Sequence, residues 1–292
     1  MVEIIWYCFA YTLSEFRDRI EAHEFLWMSN HYHLVLTDRG GCLPDFMMRL
    51  NSLLARALNA LRGHAGTVIE KGYNAVEVTT QDKAVDHCVY TLANPCSAHL
   101  VVRGRYWRSV SSCDLDYGVP ITIRRPECGL WGGPCRHRSR EASQKSRRAH
   151  YGGRSKLPEA VELVLTRPPA MAQLSDEELR SHIRERLNER EQQLVEERTK
   201  GRATVMGWRA ATRVRPRSVP SRKEDRFGRV PRFSAGTQEA WAAAVGRRRD
   251  FLEHYYDALR RFVGGETRTK FPAGTWLMKS RFGAACCTAA VL

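Results

Sequence analysis

An α+β fold is predicted by three observations in the first 95 residues. Two long stretches repeat apolar residues at helical steps. Short runs of aromatic, β-branched and aliphatic residues lie between them. Gly, Asn and Ser punctuate the boundaries, so the helical and extended runs alternate along the chain.

The elements follow in order. Ile5, Phe9, Leu13, Phe16 and Ile20 fall on one helical stripe and predict a helix over 4–20. His23 to Met28 reads as a short strand, and the Ser29-Asn30 turn joins it as a hairpin to a second strand, Tyr32 to Leu36. Gly40-Gly41 breaks the chain. Leu43, Phe46, Met47, Leu50, Leu53, Leu54, Ala57, Leu58 and Leu61 then recur at i, i+3, i+4, i+7 steps, with Arg49 and Arg56 off the stripe. Tyr73 to Thr79 reads as a strand with Val76 and Val78 on one face. A helix starting near Thr80 to Asp82 is expected to end before Pro95, because the residue preceding proline is pushed out of the helical region. The order helix, strand, strand, helix, strand, helix is a ferredoxin-like βαββαβ pattern with its first strand missing. That gap predicts a truncated or wrongly started reading frame.

Composition bounds the rest. The 292 residues are 43% hydrophobic, enough for a packed core, and 27% charged. No run of 18 apolar residues is present, and Met1 to Ala10 lack a basic n-region and a cleavage site. A cytoplasmic protein without a membrane partner is expected. Nine cysteines, scattered and odd in number, read as free thiols. Cys128, Cys135 and His137 lie close together but lack a paired Cys-X-X-Cys, which argues against zinc there.

Charge divides the chain. Residues 1–110 hold 11 basic and 11 acidic groups, so residues 111–292 carry the whole net +15. A neutral chemical domain joined to a polyanion-binding half is the expected organisation, and nucleic acid is the expected polyanion. Residues 111–158, rich in Gly, Ser, Arg and Pro and including Arg147 and Arg148, read as a flexible basic linker. Residues 159–292 read as a mainly helical basic region. Ser175 with Glu178 forms a capping box for a helix to about Lys200, with Leu179, Ile183, Leu187 and Leu194 on one stripe. Residues 202–232, with Arg213, Arg215 and Arg217 among many basic groups, read as an extended arm. Thr237 to Val263 is the last predicted helix and contains Arg247, Arg248 and Arg249. Tyr106, Trp107 and Trp208 add rings on which bases could stack.

Two constellations carry chemistry. His31 and His33 lie two apart on an extended run, on one face and about 7 Å apart, a spacing that can grip a divalent metal. Tyr90 and Asn94 lie four apart on the helix before Pro95 and share a face. A tyrosine hydroxyl attacks a phosphodiester only when a base takes its proton and a cation polarises the phosphate. His31, His33 and the side-chain amide oxygen of Asn94 can hold such a cation one helical turn from Tyr90. The plainer alternatives are solvated sheet histidines, a core tyrosine and a C-capping asparagine.

Ser29-Asn30-His31-Tyr32-His33-Leu34-Val35-Leu36 resembles the histidine–hydrophobic–histidine motif of the single-tyrosine HUH endonucleases. Tyr90-Thr91-Leu92-Ala93-Asn94-Pro95 is similar to the Tyr-x-x-x-Asn-Pro segment of the REP-associated tyrosine transposases. Weaker likeness continues through Leu165-Thr166-Arg167-Pro168-Pro169, Leu174-Ser175-Asp176-Glu177-Glu178 and Phe271-Pro272-Ala273-Gly274-Thr275. The resemblance implies a transposase-like endonuclease and strand transferase of a bacterial mobile element. In it Tyr90 is the nucleophile, and His31, His33 and Asn94 bind Mg²⁺ or Mn²⁺. Single-stranded hairpin DNA is the implied substrate, acted on by a monomer or dimer. Two departures stand out: the family's first sheet strand is lacking, and His99 occupies a position that commonly holds glycine. The alternative function is a catalytically inactive, truncated DNA-binding protein derived from such a transposase.

Overall fold

The computed structural model describes residues 1–63, 65–70, 72–127, 157–214 and 232–287. The elements of the first part are α1 (Val2–Glu15), β1 (Ile20–Trp27), β2 (Tyr32–Asp38), α2 (Leu43–Arg62), β3 (Glu77–Val78), α3 (Gln81–Ser97) and β4 (Ile121–Arg124). Then come β5 (Ala160–Leu163), α4 (Asp176–Lys200), α5 (Trp208–Ala211), β6 (Phe233–Ser234), α6 (Gln238–Val263), β7 (Lys270–Phe271), α7 (Trp276–Phe282) and β8 (Ala285–Cys286). The fold is mixed α+β, and its small sheets each contain two strands.

β1 is the buried axis. It pairs antiparallel with β2 from Ile20↔Asp38 to Trp27↔Tyr32, with a bulge between Ala22 and Glu24. Its other edge is met by the chain at 110–112: Trp27 N–H donates to Val110 O at 2.8 Å, and Ser112 N–H to Phe25 O at 3.0 Å. Phe9 of α1 wedges between Phe25 and Trp27, with ring centroids 4.8 and 4.9 Å away. Burying such a ring contributes about 1.5–3 kcal/mol.

Several boundaries differ from the sequence reading. α1 stops at Glu15, and Ile20 opens β1 instead of ending a helix, because the polar Arg17-Asp18-Arg19 run forms the turn between them. The expected strand 73–79 is reduced to Glu77–Val78, which pairs in parallel with Phe233–Ser234 rather than with the hairpin. α3 runs past Pro95 to Ser97. The lost proline donor is tolerated because the helix closes just beyond it, with Ala98 N–H on Asn94 O at 2.9 Å and Leu100 N–H on Pro95 O at 2.9 Å. A short α7 follows the helix expected to be last.

The core does not end at residue 110. Val161, Leu163, Leu165, Met171, Leu179, Ile183 and Leu187 belong to the same buried cluster as Phe9, Phe25 and Leu50. α4 begins with the expected capping box at Ser175 and Glu178. One turn in, Arg180 reaches Glu24 of β1 at 2.8 Å, and both are almost wholly buried. Tyr117 donates to the same carboxylate at 2.6 Å, and Ser112 Oγ also bonds to it. Burial pushes the Glu24 carboxyl up, and Arg180 pulls against it. A boundary at 110 therefore separates charge, not packing.

A second, smaller cluster of Ala258, Phe271, Met278 and Ala284 holds α6, β7 and α7 together. It joins the first part through the β3–β6 pairing and through Gly236 N–H on Thr80 Oγ1 at 2.9 Å.

Candidate metal and nucleophile site

β2 presents the histidine pair. Alternation along the strand turns Tyr32 to the opposite face, where it stacks on Trp27 and bonds Asn51. His31 and His33 share the remaining face, their ring centroids 5.0 Å apart and nearly perpendicular. His31 is exposed at the hairpin tip, and its Nδ1 lies 2.8 Å from Asn30 Oδ1. An amide oxygen only accepts, so Nδ1 donates in this contact.

α3 packs over β1 and β2 through Val85, Cys88, Val89, Leu92 and Cys96. That packing leaves Tyr90 at the margin, 53% exposed, with its ring centroid 5.5 Å from that of His33. His33 thus stands between His31 and the tyrosine. Burial and the charge of His31 push His33 down to about 4, so its imidazole is neutral at ordinary pH. Its Nε2 is buried and has no hydrogen-bond partner among the described residues.

Asn94 lies one turn beyond Tyr90 on α3 and is 8% exposed. It sits inside the helix, so the C-capping alternative does not hold; Ala98 is the C-cap. The pair His31 and His33 and the residue Tyr90 are brought into ring contact, and Asn94 is buried on the face that carries Tyr90.

Among the described residues no group of three His, Cys, Asp or Glu side chains converges as a metal site. A set of two imidazoles and one amide is of a different kind. The donor chemistry fits a divalent cation: an orphaned buried Nε2 on His33, a second imidazole on the same strand face, and the buried amide of Asn94 one helical turn from Tyr90. Such a set is neutral and leaves the charge of a cation uncompensated.

The basic candidates are distributed elsewhere. Arg213 is exposed just after α5. Arg247 pairs with Glu77 at 2.6 Å, Arg249 lies 3.8 Å from Asp250, and Arg248 lines a shallow cleft of about 290 Å³ with Phe233, Val245 and Leu252. Arg147, Arg148, Arg215 and Arg217 lie outside the described residues, as do Cys128, Cys135 and His137. Trp107, expected as a stacking ring, is buried and donates Nε1–H to Trp27 O at 2.9 Å, so it is a core residue.

One residue escaped the sequence reading. His87 lies three residues before Tyr90 on the same face of α3, and burial lowers its pKa. The i, i+3 spacing was the available signal.

No helix of the described residues is long and apolar enough to cross a membrane. No protein-family model, no curated protein and no solved structure matches this chain.

Proposed function

We propose that the protein is a tyrosine HUH-type, single-stranded DNA endonuclease and strand transferase, resembling the REP-associated tyrosine transposases. The observation that carries this reading is the contact set of His31, His33 and Tyr90, with His33 placed between the other two rings. The two-histidine face of β2 against a tyrosine of α3 is what a metal-assisted attack on phosphate requires. In this reading the β1–β2 hairpin and the helices over it belong to a ferredoxin-like core.

Tyr90 Oη attacks the phosphorus of one linkage, its proton passes to a base, and the bond from phosphorus to the 3′ oxygen breaks. A 5′-phosphotyrosine and a free 3′-hydroxyl result. Attack of a 3′-hydroxyl on that link restores the phosphodiester and frees the tyrosine. His31, His33 and Asn94 would hold Mg²⁺ or Mn²⁺, which supplies charge neutralisation at the scissile phosphate. The exposure of Tyr90 leaves room for a strand, and the neutral state of His33 keeps a lone pair available. The basic residues 111–292, Arg213 and Arg247 to Arg249 among them, supply the hold on DNA in the cytoplasm, with the oligomer a monomer or dimer.

The test uses a single-stranded hairpin oligonucleotide with Mn²⁺ and denaturing electrophoresis. Wild-type protein is expected to form a covalent adduct, and Tyr90→Phe is expected to form none while binding the hairpin nearly as well. His33→Ala is expected to lose the adduct as well. An adduct of equal yield from Tyr90→Phe sinks the assignment. Tight binding by wild type without any adduct favours the alternative, a DNA-binding protein without chemistry.

A further inference from the structure

Two segments far apart in sequence meet at the C-terminal end of α3. The first is the turn Gly104–Tyr106 and the residues after it. Glu191 of α4, almost fully buried, accepts Gly104 N–H at 2.6 Å and reaches Arg103 at 3.4 Å. A Cβ at 104 would lie 2.4 Å from Leu92 O of α3, so this turn is pressed directly onto the helix that carries Tyr90. With Trp107 drawn into the core, Arg105, Tyr106 and Arg108 are left outside, and Tyr106 is 51% exposed.

The second segment is α5. Met206 N–H and Gly207 N–H donate to His99 O and Leu100 O, at 2.9 and 2.8 Å, which seats Trp208 beside the end of α3. Arg108 Cζ lies 4.6 Å from the Trp208 ring centroid, Arg209 Cζ 5.6 Å from the same ring, and Arg105 Cζ 5.4 Å from that of Tyr106. Two guanidinium groups thus lie against the Trp208 ring and a third against the Tyr106 ring, on a backbone fixed from behind. Arg105 is held first by a side-chain hydrogen bond with Tyr106, and the carboxylates acting on it are Glu191, which is turned inward, and Asp114.

We propose that this patch is a stacking platform for unpaired DNA bases, with Tyr106 as its exposed ring and Arg105, Arg108 and Arg209 as its phosphate contacts. It rests on the DNA-directed reading above and adds a place on the surface where the strand is held. The chemistry selects a single strand. Ring faces recognise the faces of bases, which a duplex hides and an unpaired strand exposes, while guanidinium groups beside the rings meet the backbone. A duplex would reach the arginines alone.

The platform is tested on the full chain with a labelled oligo-thymidine in chelator, where no cleavage occurs, by fluorescence anisotropy. Tyr106→Ala is expected to weaken binding by about 5- to 150-fold, the loss of one stacked base. Tyr106→Phe is expected to retain wild-type affinity, and neither variant is expected to change binding to a duplex of the same length. Arg108→Ala is expected to lower the slope of log affinity against log salt by about 0.7, one phosphate contact on a single strand. Wild-type affinity in Tyr106→Ala overturns the proposal, as does an equal loss on single strand and duplex. Adduct formation at Tyr90, measured with Mn²⁺ on the hairpin, tests the nuclease reading separately. Its failure leaves Tyr106-dependent binding as the measure of the platform.

Discussion

His99 occupies the left-handed region at φ 57°. Its N–H bonds Cys96 O and the next N–H bonds Pro95 O, the paired closure by which a helix ends on a left-handed residue. Glycine enters that region without strain, and a residue with a Cβ costs about 1–2 kcal/mol there. His99→Gly is therefore expected to stabilise the protein by about 1 kcal/mol, read as a raised urea midpoint with an unchanged slope. A lowered midpoint would show that the imidazole makes a contact worth more than the strain. The position was legible in the sequence as a departure from the glycine of the resembling segment. The histidine pair was legible too, because strand alternation alone sets His31 and His33 on one face. The closeness of His33 to Tyr90 was not, since no local pattern fixes which part of a helix crosses a strand.

At the scale of elements, α4 illustrates both halves of this lesson. Its start, stop and apolar stripe follow from Ser175, Glu178 and the spacing of Leu179, Ile183, Leu187 and Leu194. Its two buried charges do not, because Arg180 and Glu191 look like members of a solvated Arg/Glu face until their partners at Glu24 and Gly104 are known. Removing Arg180 leaves a carboxylate stranded in the core. Arg180→Met is expected to cost about 3–5 kcal/mol at pH 7 by chemical denaturation. The pH dependence follows from the direction of the Glu24 shift. Burial raises its folded-state pKa, and loss of Arg180 raises it further. A raised folded pKa favours the folded protein below the ordinary carboxyl range, and that contribution is lost as pH rises through the folded value. The gap between wild type and Arg180→Met should accordingly be widest at neutral pH and shrink on acidification. A gap that stays constant with pH would mean that the carboxylate is not what the arginine compensates.

Across the whole molecule, charge and packing follow different boundaries. The charge asymmetry was plain in the sequence: residues 1–110 are neutral and 111–292 hold +15. The packing was hidden, because β5 pairs with β4 and the chain at 166 reaches Ala22 O across the length of the fold. A chain cut at Ser112 keeps every proposed catalytic residue but loses Val161, Leu163, Leu179 and Ile183 from the core and Arg180 from Glu24. It is expected to lack a cooperative unfolding transition and to bind hydrophobic dyes, whereas the full chain unfolds cooperatively. A sharp two-state transition in the cut chain would show that residues 1–112 form a folding unit by themselves. DNA affinity in the full chain should fall with salt at about 0.7 per contacted phosphate on single strands.

The Glu24 carboxylate also sets an order of events in time. Its arginine lies 156 residues later in the chain. A ribosome adding about 5–20 residues per second reaches that arginine some 8–30 s after the glutamate has been made. During that interval the nascent hairpin holds a carboxylate that it cannot bury cheaply, so β1 has reason to stay open to water. β1, with the histidine strand β2 paired to it, is then completed early in synthesis, and its carboxylate gains its arginine only when α4 is made.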